Sequence, residues 1–114
     1  MLEWDKTDFI ECLEVVPEDM ESDYHGSFSI FRIEKKGIKL ELTVFPFEED
    51  VRFRLIRVEK EEPIFEYQIM SCKSAKYEKS KDGVETLKFI NQANMHIVLS
   101  VKPDISLRIN ENGL

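Results

Sequence analysis

Glycine and proline are scarce in this chain of 114 residues, with four of each. Gly26, Gly37, Gly83 and Gly113 stand too far apart to write a dinucleotide-binding loop or a P-loop. Both motifs need closely spaced glycines so that backbone N–H groups can approach a phosphate. Histidine and cysteine are scarcer still. Cys12, Cys72, His25 and His96 have no neighbour at the C-x2-C or H-x3-H spacing from which zinc sites are built. The acidic run Glu48-Glu49-Asp50 lacks the alternating ligands and the glycine of a calcium loop. No metal and no cofactor are expected.

Two cysteines are also too few for a secreted scaffold that depends on bridges, so both are read as free thiols. No apolar run approaches the roughly 18–20 residues of a membrane-spanning helix. The start, Met1-Leu2-Glu3-Trp4-Asp5, has neither the basic nor the apolar region of a signal peptide. The cytoplasm is therefore the expected compartment.

Nucleophilic catalysis has no signature. There is no G-x-S-x-G elbow. Cys12 falls on an apolar stripe beside Glu11 and Glu14, where a thiolate is disfavoured. Carboxylate pairs of the glycosidase kind carry no information, because 23 acidic residues supply such pairs anywhere. No catalytic residue is assigned and no enzyme is expected. Basic residues number only 16, so the net charge is −7. That opposes nonspecific nucleic-acid binding, which depends on neutralising phosphates, and docking on anionic membranes.

What the chain does contain is a hydrophobic fraction of 42%, enough for the core of one domain spanning residues 1–114. Its one helical candidate is Asp8 to Val16. Phe9, Cys12, Leu13 and Val16 recur at i, i+3, i+4 and i+7, Asp8 and Glu11 suit a capping box, and Pro17 stops the helix. Residues 17–26 read as an acidic connection.

From Ser27 onward the period becomes two. Alternation predicts strands over Phe28–Glu34, Ile38–Val44, Val51–Val58, Ile64–Met70, Cys72–Glu78, around Leu87 and Phe89, Met95–Val101, and Ile105–Ile109. The apolar residues switch parity at Leu55-Ile56, which predicts a bulge there. Asp82-Gly83 is the strongest turn signal. Short connections favour antiparallel neighbours. The expected fold is thus mainly β (α+β): one N-terminal helix, then a curled antiparallel meander of about six to eight strands. One short helix cannot cover a flat sheet of that size, so the sheet must form a barrel, a half-barrel or a two-layer sandwich. Phe28, Phe31, Phe45, Phe47, Phe53, Phe65 and Phe89 are read as mostly core. Ser29 and Gln68 are the few polar interlopers.

Charge is distributed unevenly. Residues 1–25 hold nine acidic residues against Lys6 alone, net −8, while the other 89 hold 14 acidic and 15 basic, net +1. Either this is a solvated face that pairs with the chain's own Arg32, Arg52, Arg54 and Arg57, or it is a negative surface for a basic partner. The favoured function is a protein-binding module, inhibitor-like or chaperone-like, for a basic protein. Its contacts are assigned to Trp4, Glu11, Glu14, Glu18, Asp19, Glu21, Asp23 and Tyr24. Trp4 and Tyr24 act there as interface anchors, or else fold back as lids on the core. The alternative is a β-barrel-like domain that encloses a small apolar ligand.

Overall fold

A computed structural model describes residues 1–110. It contains one helix, α1 (Lys6–Leu13), and nine strands: β1 (Glu18–Ser22), β2 (Gly26–Lys35), β3 (Ile38–Phe45), β4 (Asp50–Arg57), β5 (Glu62–Ile69), β6 (Cys72–Lys79), β7 (Glu85–Asn91), β8 (His96–Ser100) and β9 (Ser106–Asn110). The strands make two antiparallel meanders, β1-β2-β3-β4-β5 and β6-β7-β8-β9. The curl expected from alternation is realised as two layers around one core, without closure into a barrel.

The eight strands expected from alternation are β2 to β9. β1 is an addition, and it corrects the reading of residues 17–26 as a connection. Its sequence, Glu-Asp-Met-Glu-Ser, has no dry face and little strand propensity. What holds it is β2, through pairs running from Glu18 opposite Ile30 to Ser22 opposite Gly26. Gly26 has φ +69°, a left-handed conformation that suits glycine and lets so short a hairpin close.

The helix also departs from expectation. It starts two residues early and ends three residues early, with Asp5 rather than Asp8 as its N-cap. The Asp5 carboxylate accepts from the backbone N–H of Thr7 (2.8 Å) and of Asp8 (3.3 Å), satisfying two of the donors that a helix start leaves unpaired. At the other end Glu14 takes a left-handed conformation (φ 59°) and its N–H closes on the Ile10 carbonyl at 2.8 Å. Two β-branched residues, Val15 and Val16, and then Pro17 give the next turn poor helix formers. Val16, assigned to the buried stripe, is instead 81% exposed, whereas Phe9, Cys12 and Leu13 are buried as expected.

The expected bulge falls at Leu55/Ile56, but its extra residue is supplied by the partner strand. Leu55 pairs with Phe65 and Ile56 with Pro63, so Ile64 of β5 is skipped, while β4 stays in regular register with β3. The parity switch therefore arises because Ile56 is buried on the sheet's other face. Phe65 and Phe47, both counted as core, are 38% and 60% exposed.

The two sheets are stitched at one end by main chain. Glu3 bridges to β6, its N–H reaching the Lys73 carbonyl at 3.0 Å and its carbonyl taking the Ala75 N–H at 2.9 Å. Leu2 N–H binds the Pro46 carbonyl of the β3–β4 turn at 2.9 Å. The first three residues thus join the edge of one sheet to a turn of the other. Lys73 and the terminal amine both pair with Glu49 and reinforce the joint.

Cys12 and Cys72 are buried, unbridged thiols. Burial, aided for Cys12 by Glu85 and for Cys72 by Glu49, pushes both up to about 11. At pH 8 only roughly one thiol in a thousand is then the reactive thiolate. A chromogenic thiol reagent is expected to leave the native protein almost unlabelled over minutes and to count two thiols at once in 6 M guanidinium (about the concentration that unfolds most domains). Rapid native labelling would contradict the packing around α1 and β6.

Candidate protein-binding surface

The acidic quarter of the chain is divided between two elements. α1 presents Glu11 on its exposed side, with Glu14 at its cap, and β1 presents Glu18, Asp19 and Glu21. β1 is an edge strand, with β2 on one side and, among the described residues, none on the other. Alternation sends Glu18 and Met20 to the outer face of the five-stranded sheet, beside Ile30 and Phe28.

Several of these carboxylates are held by the chain's own cations. Glu18 Oε2 accepts from Arg32 at 3.0 Å, and Arg32 also reaches Glu41 at 2.9 Å. Asp19 accepts from the Ser29 hydroxyl at 2.6 Å and from Lys6 Nζ at 3.0 Å. Those two bonds, the serine's first, hold its carboxyl below the usual range. Ser29, the polar interloper of β2, is buried against this pair. Glu14 takes Lys102 at 2.8 Å. Arg52 and Arg54, candidate partners for the acidic segment, turn instead to Asp50, Glu41 and Glu66 within their own sheet.

The remaining assigned carboxylates behave differently. Among the described residues Glu11 and Asp23 make no ion pair or hydrogen bond, and Glu21 accepts only a hydroxyl, that of Ser27 at 3.2 Å. The two aromatic candidates also diverge. Trp4 is half-buried, edge-on to Phe9 (centroids 5.0 Å) and to Phe31 (6.4 Å), so it acts as a lid on the core. Tyr24, at the tip of the β1–β2 hairpin, is 91% exposed.

Beside this hairpin lies an aromatic cluster that sequence reasoning distributed to the core. Phe28 and Phe45 face each other across β2 and β3, stacked at 4.9 Å on the outer face. His25 leans on both, 4.9 Å from the Phe45 ring, and hydrogen-bonds Glu48 of the β3–β4 turn. The Arg52 guanidinium lies 4.7 Å from the Phe45 ring centre. Arg52 is anchored there by Asp50, which is buried and takes the Gln68 amide at 3.0 Å. The one signal for this cluster in the sequence is that β2 carries apolar residues at both parities, Phe28 and Ile30 as well as Phe31 and Ile33. A sheet strand with a single dry face does not need that.

A second polar cluster ties the end of α1 to the four-stranded sheet. Glu85 receives hydrogen bonds from Lys102 and from the Tyr77 hydroxyl, and Lys102 also holds Glu14. Lys102 and then Tyr77 hold the Glu85 carboxyl below its ordinary range, and Glu85 pushes Tyr77 up to about 12. A carboxyl whose folded pKa is depressed adds stability above its unfolded value of about 4.5 and loses it as pH falls through the folded value. Lys102, raised by Glu14 and Glu85, and Tyr77 add stability below their unfolded values, which is lost as pH rises through the folded ones. The network therefore acts between about pH 4.5 and 10. Glu85→Gln is expected to lower the urea midpoint at pH 7, with the gap to wild type closing towards pH 2.5. A gap that stays constant with pH would mean that the carboxylate charge is not its source.

No family model and no curated protein matches the sequence. Over 94% of its length the chain matches 94% of a chain in a contact-dependent growth inhibition toxin–immunity protein complex from Klebsiella pneumoniae 342, with a TM-score of 0.79 and 12% sequence identity. At that identity the likeness establishes the fold. Among the described residues, no helix is long and apolar enough to cross a membrane.

Proposed function

We propose that this chain is a small inhibitor that binds and neutralises a basic protein, as the immunity half of a toxin–immunity pair does. The observation that carries the reading is the end-to-end likeness to a chain from such a complex. Charge supports the immunity half over the toxin half: net −7, concentrated in the first 25 residues, suits the neutralisation of a cationic partner. The exposed carboxylates Glu21 and Asp23 and the exposed ring of Tyr24 supply the acidic and aromatic groups that such an interface uses, and Glu11, on the helix side, adds to the field that steers a cation towards them. Trp4 packs on the core, and Glu14, Glu18 and Asp19 are held by internal ion pairs beside that surface. Two separate, unbridged thiols suit a reducing cytoplasm.

The small-ligand reading is not favoured. An apolar ligand would need a void between the sheets, and that space is occupied by Phe9, Phe31, Phe53 and Phe89, all fully buried.

The test is to mix the purified chain with the products of the genes that neighbour its own. A one-to-one complex with a basic protein on gel filtration is expected. So is restored growth of cells that express that protein. The absence of any complex, together with no protection of growth, would overturn the proposal.

A further inference from the structure

Tyr24 and Phe47 are the most exposed aromatic side chains among the described residues, at 91% and 60%. Aromatic rings are the side chains that anchor protein interfaces most often. Here the backbone that carries them is fixed. The Ser22 hydroxyl accepts the N–H groups of Tyr24 (3.1 Å) and His25 (3.2 Å), which sets the hairpin tip. His25 then pins that tip to the β3–β4 turn through Glu48 and the Phe45 ring. Phe47, in that turn, lies against Gly26 so closely that a Cβ on Gly26 would come within 3.0 Å of its ring. A surface ordered before binding has little left to lose in conformational entropy.

Phe47, Gly26, Ser27, Glu21, Ser22 and Asp23 together line one groove of about 380 Å³. It has an aromatic wall and two carboxylates. Glu14, Glu18 and Asp19 are each neutralised by a lysine or arginine of this chain, but Glu21 and Asp23 have no such cation among the described residues. We infer that this groove takes an arginine side chain of the basic partner, its guanidinium stacked on the Phe47 ring and bonded to Glu21 and Asp23, with Tyr24 packing against the flanking surface. A planar guanidinium meets both demands at once, stacking by its face and donating by its edge, whereas an ammonium is drawn to the ring as a point charge and has no face to stack while it donates. This rests on the reading of the chain as a binder of a basic protein and adds the side chain that it reads.

The test uses isotope-labelled protein and three blocked tripeptides, glycine-X-glycine, with X arginine, lysine or glutamine. The arginine peptide is expected to shift the amide signals of residues 21–27 and 47 saturably, with a Kd on the order of 10 mM. The lysine peptide should bind about threefold more weakly and the glutamine peptide not measurably. Phe47→Ala and Asp23→Asn should each weaken the arginine peptide about fivefold, in spectra otherwise unchanged. Equal shifts from the arginine and glutamine peptides, or from the arginine and lysine peptides, overturn the assignment, as does arginine binding indifferent to Phe47→Ala. The peptides replace the partner, so failure here leaves the inhibitor reading to be judged on complex formation.

Discussion

Phe89→Ala is expected to destabilise the protein by about 3–5 kcal/mol, the range for removing a fully buried phenylalanine. Phe89 is the residue on which all three parts of the fold converge. It projects from β7, and its ring meets Phe53 of the other sheet edge-on at 5.1 Å and Phe9 of α1 edge-on at 5.8 Å. Its neighbour on β6 is Ala75, a small side chain that leaves room for the ring. On its other side is Ile97 of β8, fully buried. Truncation leaves a void that sheets already paired on both sides cannot close, so the cavity term persists. Total stability for a domain is only about 5–15 kcal/mol. The thermal midpoint should therefore fall by roughly 12–25 °C. Urea titration at constant slope is the check. Phe89→Leu, which refills most of the volume, should recover more than half of the loss. Equal losses for the two variants would mean that the rings are not packed as described.

The same convergence explains how much of the fold alternation could show. Period-two patterns located β2 to β9 because apolar residues recur at every second position along most of each of those strands. β1 escaped because it has no dry face: Glu18, Asp19, Met20 and Glu21 are all exposed, and the strand exists through main-chain pairing to β2 and through Arg32 and Ser29. No local pattern encodes a strand whose stability lies in its neighbour. The helix was legible in type and in three of the four residues of its stripe, Val16 excepted, but not in extent, since a capping aspartate at position 5 and one at position 8 look alike in sequence. Only the observed bonds to Thr7 and Asp8 separate them. Two packed layers could not be told from a barrel, because inward alternation is common to both.

The candidate surface was legible as charge and illegible as shape. The net charge of residues 1–25 located the carboxylates, but not which of them the chain's own cations take. Lys102 is 88 residues from Glu14 in sequence, and Arg32 reaches Glu18 only because β1 and β2 pair. The aromatic side of the surface was hidden for another reason. Phe45 and Phe47 flank Pro46 beside a strand, where phenylalanine ordinarily means core, yet Phe45 stacks with Phe28 and His25 on the outer face and Phe47 stands 60% exposed beside Gly26.

That sorting of paired from unpaired carboxylates sets the expected kinetics with a basic partner. Reversing Glu14 or Glu18 would set a lysine against Lys102 or Arg32 and confuse binding with folding, so the informative positions are those without an internal cation. Two double variants separate steering from contact. Glu3→Lys with Glu11→Lys changes the helix side, outside the groove, and moves the net charge from −7 to about −3. Its effect should fall on association alone: about a tenfold slower on-rate at low ionic strength, shrinking at 0.5 M salt as the Debye length drops well below its value of about 10 Å at 0.1 M. Glu21→Lys with Asp23→Lys makes the same change in charge within the groove. Association should slow by a similar factor, and dissociation should also speed up by about tenfold or more, because a cation of the partner would then face a cation instead of its counter-ion. Stopped-flow association and dissociation at two salt concentrations distinguish the cases. If the helix-side pair also changes dissociation, α1 belongs to the contact. If neither pair changes either rate, these four carboxylates contribute nothing to recognition, and the partner is held by another surface.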